Sequence, residues 1–322
     1  MSIGLSVINQ RARDHAFDID DIDWRVGIDP ARAFFPEDQL PLSFTEGWRA
    51  VLTDDERTTA NQWYACAVSE QFIFLEESFL MPAVRAMLRQ RRTQKDAALV
   101  EALEVFLIEE QKHGEMFRRL LRLVSPEWYA HSDRHFYTPA KAGVRFAELC
   151  LQLPDIFVAW PWLGHILEEK TIAYHRAYER AAHAGTQLDP LHHAVHRAHF
   201  LDEARHVQLE QVLIERLWDP ASDVVKSINR PLLFRALAQY TRPRERSVSA
   251  NIVRALVAKY PRLQPHEQRL LDGVRALKDN LIFQRQIYGS ASIPQTFRAL
   301  GDRPELHGIV VVAPDFAVRE AA

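Results

Sequence analysis

Apolar residues recur every three to four positions along most of this chain, and strand-like alternation is scarce. The pattern predicts an all-α fold. Four long helices stand out. The first runs from Thr53 to about Gln90, opened by a capping threonine with Asp54, Asp55 and Glu56 in its first turn. Pro82 predicts a kink or break within it. The second spans about Gln94 to Leu123, the third opens at Pro154 and reaches about Ala184, and the fourth covers Leu191 to Leu217. Shorter helices are expected at about 141–151, 220–240, 246–260 and 265–287. Helices are expected to begin near Ser43 or Thr45. Before that point Pro30, Pro36, Pro41 and the acids Asp18, Asp20, Asp21 and Asp23 predict an irregular arm wrapped on the body. Gly308 to Pro314 is β-branched and bounded by glycine and proline, so it reads as a short strand or extended segment. The organisation is an arm over 1–44 and one helical domain over 45–322. Within that domain lie a bundle at about 54–217, accessory helices at 218–302 and a tail at 303–322.

The fourth helix carries an unusual stripe. At 100° per residue His199, Glu203 and His206 lie at about 0°, 40° and −20° on a helical wheel, so two imidazoles and a carboxylate share one narrow face. These are ligand types for Fe, Mn or Zn. A solvated face is the plainer reading, since His192, His193 and His196 are close by. A second copy of part of the pattern changes the balance. Glu203-x-x-His206 is matched by Glu110-x-x-His113 on the second helix, and each motif puts a carboxylate and an imidazole one turn apart. The first and third helices each carry a carboxylate doublet in apolar surroundings, Glu76-Glu77 and Glu168-Glu169. Glu76 precedes Glu110 by 34 residues and Glu168 precedes Glu203 by 35, as expected of two similar helix pairs. Two Glu-x-x-His pairs with a lone glutamate from each remaining helix is the donor set of ferritin-like di-iron and di-manganese bundles. Four glutamates balance two divalent ions and leave the imidazoles neutral. Glu109 and Asp202, each next to a motif glutamate, are candidate acceptors for the outer N–H groups of the histidines, with surface salt bridges as the alternative.

Composition narrows the class. The 322 residues are 47% hydrophobic and 26% charged, enough for a substantial core, and a net charge of −3 gives no case for nucleic acid. Cys66 and Cys150 are too few for a disulfide framework or a thiolate metal site, which suits a reducing cytoplasm. No signal peptide is evident. The longest apolar stretch, around Ile156–Leu167, is interrupted by Pro161, Gly164 and His165 and is too short for a bilayer, so no membrane role is expected.

The set Glu76, Glu110-x-x-His113, Glu168 and His199-x-x-x-Glu203-x-x-His206 resembles the p-aminobenzoate N-oxygenase family of ferritin-like di-iron oxygenases. The third histidine, His199, carries the resemblance beyond a generic six-ligand site, and Pro82 and Pro190 also match family positions. The likeness spans roughly 55–215. It implies a ferritin-like four-helix bundle with flanking helices, holding two irons (Fe/Fe or Mn/Fe) with O2 as co-substrate. It implies one iron on Glu76 and His113, the other on Glu168, His199 and His206, with Glu110 and Glu203 bridging. The implied activity is N-oxygenation of an amine, aromatic by the resemblance, to hydroxylamine, nitroso or nitro products, with a place in secondary metabolism. The expected partners are the amine, free or tethered to a carrier, an external electron donor and a second copy of the chain in a homodimer. One position departs from the family. Where the resemblance places the arginine that anchors the substrate carboxylate stands Gln71, beside Phe72, as a candidate pocket residue. A neutral amide makes no bidentate ion pair. Trp160, Trp162, Phe72 and Phe74 are read as core or as an apolar pocket.

Three rivals share parts of the pattern. In a ribonucleotide reductase small subunit a radical tyrosine would fall one turn after His113, where this chain has Phe117. A di-iron or Mn/Fe hydroxylase or ligand-binding oxidase acting on C–H bonds is opposed by His199. A non-catalytic ferritin-like protein would need little more than one bundle, and this chain has many surplus helices.

Overall fold

Thr53 does open a long helix: its hydroxyl accepts from the Glu56 amide (3.4 Å) while the Glu56 carboxylate accepts from the Thr53 amide (2.9 Å). In the computed structural model, which describes residues 4–312, the described residues form fourteen α-helices and no strand. They begin with α1 (Leu5–Asp14), α2 (Glu46–Ala50), α3 (Asp54–Leu75), α4 (Met81–Leu88), α5 (Ala97–Val124), α6 (Pro126–Tyr129) and α7 (Lys141–Leu151). They continue with α8 (Trp160–His183), α9 (Pro190–Leu217), α10 (Asp223–Thr241), α11 (Val248–Lys259), α12 (Glu267–Ala276), α13 (Leu281–Tyr288) and α14 (Pro294–Gly301). The fold is all-α, and α3, α5, α8 and α9 are its four long helices. None of the helices is long and apolar enough to cross a membrane.

Four expectations are corrected. The arm opens with a helix, α1, which buries Leu5, Ile8 and Ala12 at helical spacing against α5 and α9. Asn9 ties it down by donating to the Ala98 carbonyl (3.0 Å) and to Glu101 (2.9 Å). The third long helix starts at Trp160 and not at Pro154, because Asn229 of α10 accepts from the Ala159 amide (3.0 Å) and holds the chain in turns up to that point. α14 falls within the span of accessory helices at 218–302 but outside the individual helices expected there, the last of which ends near 287. The segment from Gly308 is not extended. A 3₁₀ helix covers Pro304–Val311, burying Leu306 and Ile309, since a lone strand with no neighbour would leave its amides unpaired. Pro314 lies outside the described residues.

Apolar side chains gather in two large clusters. One includes Phe72, Met116 and Phe117, the other Leu80, Phe106, Trp160 and Trp162. Between them run α8 and α9, antiparallel: Gly164 meets Glu210, His165 meets Val207 (3.2 Å), and His175 stacks on Phe200 (4.0 Å).

Candidate metal centre

The first carboxylate doublet sits where the helix loses its regularity. Between α3 and α4, Glu76–Leu80 form a π turn immediately before Met81-Pro82. Pro82 has no N–H to give to the Ser78 carbonyl, and the wider turn absorbs the missing bond. The two glutamates then diverge. Glu76 turns inward and is buried. Glu77 points to α5, where Arg118 Nη1 donates to Glu77 Oε1 at 2.7 Å, and Gly114 leaves the space that this carboxylate occupies.

The second doublet divides in the same way. Glu169 accepts from the amides of Gln295 and Thr296 (2.7 Å each), capping α14, whose own cap residue Ile293 has no side chain to do so. Glu168 is also buried. It lies one turn beyond Gly164 on α8, and among the described residues it joins no group of close metal-donor atoms.

On the other two helices the motif residues converge. His113 Nδ1 lies 3.3 Å from Glu110 Oε2 and 3.2 Å from Glu203 Oε1. His206 Nδ1 lies 3.2 Å from Glu110 Oε1 and 3.5 Å from Glu203 Oε1. His199 presents Nε2 to Glu203 Oε1 (2.8 Å) and Glu76 Oε1 (3.2 Å). Two overlapping donor groups result, Glu76, His113, His199 and Glu203, and Glu110, His113, Glu203 and His206. Glu76 Oε2, Glu110 Oε1, both Glu203 oxygens, His199 Nε2 and His206 Nδ1 are buried without a hydrogen-bond partner. Orphaned acceptors crowded into a closed space are what divalent cations satisfy, so these residues fit a dinuclear metal site.

The outer nitrogens are held crosswise. His206 Nε2 donates to Glu109 of α5 (2.9 Å), and His113 Nε2 donates to Asp202 of α9 (3.1 Å). Arg205 bridges Glu109 and Asp202, and Lys112 lies 2.6 Å from Asp202. Each histidine is thereby fixed with Nδ1 facing inward. The charge balance follows from burial against pairing. Burial, with Glu110 and Glu203 alongside, pushes the Glu76 carboxyl well up. Burial works against a charged His113, but Asp202 and Glu110 outweigh it and raise the imidazole to about 9. Glu110 is buried too, yet His206 and His113 pull it down to about 2. Burial, reinforced by His113, holds His199 well below its usual range and therefore neutral. Apolar rings close the site: Phe72 and Phe117 each lie 4.9 Å from His199, and Phe106 lies 4.4 Å from His206.

The grouping differs from the one that the resemblance implies. His199 sits with Glu76 and His113, not with Glu168 and His206. On α9 it is level with His175, about two helical turns along α8 from Glu168. Pattern reading missed Glu210, which continues the stripe of the fourth helix one turn past His206 at about 20° on the same wheel. Glu210 is buried against Gly164 with both oxygens unpartnered, and burial raises its carboxyl well above the usual range. Gln71, with Phe74, lines a cavity of about 1310 Å³. Phe72, one residue and about 100° further round α3, points instead at His199 and Phe117. Trp160 and Trp162 are core.

A family model described as p-aminobenzoate N-oxygenase AurF matches residues 5–274. The chain belongs to this N-oxygenase family. It is accordingly a di-iron oxidoreductase that uses O2. Among solved structures it is similar to R2-like ligand-binding oxidases. One of these, a mutant with an aerobically reconstituted Mn/Fe cofactor, is 17% identical, with 85% of this chain and 93% of that one covered and a TM-score of 0.48. Another, described after photoconversion, is 18% identical over 92% and 93%, with a TM-score of 0.49. No curated protein matches the chain.

Proposed function

We propose that the protein N-oxygenates an amine at a pair of irons held by Glu76, Glu110, His113, Glu168, His199, Glu203 and His206. Glu109 and Asp202 orient two of the imidazoles, and Phe72, Phe106 and Phe117 keep the centre dry. The engagement of Glu77 with Arg118 and of Glu169 with α14 supports Glu76 and Glu168 as the ligands from the two doublets. The observation that carries the reading is His199, a third imidazole whose Nε2 meets Glu76 and Glu203 inside the cluster. The irons supply O2 reduction with electrons from an external donor. Forming a hydroxylamine puts one oxygen atom of O2 into an N–H bond and releases the other as water, consuming two electrons and two protons. The remaining finer expectations, a homodimer in the cytoplasm, belong to the same proposal.

The test is ¹⁸O2 with iron-loaded, reduced enzyme and a set of arylamines. Products with ¹⁸O on nitrogen support the reading, whereas ¹⁸O on carbon alone replaces it with C–H hydroxylation. His199→Ala is expected to lose one of two bound irons, and full iron retention with unchanged turnover would remove His199 from the ligand set.

A further inference from the structure

The cavity beside the metal centre has a charge pattern that the centre does not use. One part of its wall is Gln71, Phe74, Leu75, Phe79, Leu163 and Leu167, apolar except for the amide. Leu75 and Leu167 are the sequence neighbours of Glu76 and Glu168, so this part backs onto the site. A separate stretch, formed by α7, α10 and the loop after α10, contributes Lys141, Arg235, Arg242, Arg244 and Arg246. Among the described residues no aspartate or glutamate lines the cavity. Arg242 donates to the Val311 carbonyl, and none of the five cations has a carboxylate partner among the described residues. Like charges gathered without counter-charge raise the local concentration of anions. At about 1310 Å³ the cavity also exceeds the roughly 300–1,000 Å³ usual for small-molecule clefts. A single-ring amine would leave most of it to water.

We propose that the cavity binds an elongated amphiphilic anion, with its amine on an apolar body against α3 and α8 and a carboxylate or phosphate held by Arg235, Arg244 and Arg246. Neutral Gln71 then fits: the anion is gripped away from α3, and the wall nearest the metals receives an uncharged part of the substrate. The inference rests on the N-oxygenation reading for the placement of the amine, but its test does not need turnover.

Binding is measured by calorimetry, anaerobically, on the metal-loaded enzyme. The probes are 6-(4-aminophenyl)hexanoate, 6-(4-aminophenyl)hexyl phosphate and the matching neutral hexanamide. At least one anion is expected to bind about tenfold tighter than the amide, and less so as salt rises. The tighter of the two identifies the anion as carboxylate or phosphate. Arg244 and Arg246 are exposed, so the double variant Arg244→Gln/Arg246→Gln keeps the core intact and should reduce the preference to about twofold or less. An amide that binds as tightly as both anions, or a preference that survives in the double variant, overturns the anion site. Preferred anions whose amine stays unoxidised on addition of reductant and O2 would overturn the N-oxygenation reading and leave the anion site standing.

Discussion

Asp202 shows how much one carboxylate outside the donor set can control. It receives His113 Nε2 at 3.1 Å, lies 2.6 Å from Lys112 and is bonded by Arg205. These partners overcome its burial and hold it below the ordinary carboxylate range. Asp202→Asn keeps the shape and removes the charge that fixes His113, so metal affinity should fall by about 10–100-fold in a chelator competition. An unchanged affinity would show that His113 is oriented by packing alone. A second buried charge makes a prediction about pH. Lys170 is buried, its Nζ 3.2 Å from Gln39 Oε1 and 3.4 Å from Ser292 Oγ, and burial lowers its ammonium to about 7. Between about 7 and the unfolded value of 10.5 the unfolded chain carries a proton that the folded one lacks, so stability rises with pH across that window. Below it the penalty is fully present. Lys170→Met should therefore raise Tm most near pH 6, by a stability gain on the order of 2–4 kcal/mol less the two lost hydrogen bonds. The gain should shrink toward pH 10. A gain independent of pH would mean that Lys170 is not a buried charge.

The elements divide the chemistry by sending neighbouring side chains in opposite directions. Glu169 and Glu168 differ by one residue on α8, and only Glu169 reaches the amides of α14. Glu169→Ala should cost about 1–2 kcal/mol and open residues 294–301 to hydrogen exchange, with Glu169→Gln recovering part of it and iron content unchanged in both. Glu168→Gln should do the reverse, lowering iron content while α14 stays protected. Loss of iron from the Glu169 variants would exchange the two roles. The same doublet marks how far the sequence could be read. Helical period places both glutamates on a long helix but cannot show which one a distant segment will claim, because α14 comes more than a hundred residues later. The convergence of the Glu-x-x-His pairs was legible because each carboxylate and its imidazole share one local helical repeat. α1 escaped notice because its short apolar stripe gains its meaning only from α5 and α9. The start of α8 escaped because Asn229, far along the chain, decides where the turns end. A run such as Ile309-Val310-Val311 has strand propensity, yet with no strand to pair with it coils into a 3₁₀ turn.

At the scale of the whole molecule, a group of carboxylates and imidazoles sits between two apolar clusters, where water cannot screen it. Without metal the cluster reaches neutrality only by holding protons: burial pushes Glu76 well up and, despite help from His206, also raises Glu203, while Asp202 and Glu110 lift His113 to about 9 against its burial. Metal ions and protons therefore compete for the same atoms, and metal binding must release protons. The gap in Tm between metal-loaded and metal-free protein should accordingly widen as pH rises from 6 to 9. With free metal at about 1,000 times its dissociation constant, each ion adds about 4 kcal/mol to stability. For a chain of this size that amounts to roughly 6 °C in Tm per ion, or about 12 °C for two. The measurement is a pair of thermal scans at each pH, after chelation and after reloading with Fe(II) or Mn(II). A gap that stays flat across the range, or metal-free protein that melts no earlier, would mean that the ions are not held by this buried set and that its charge is compensated within the protein.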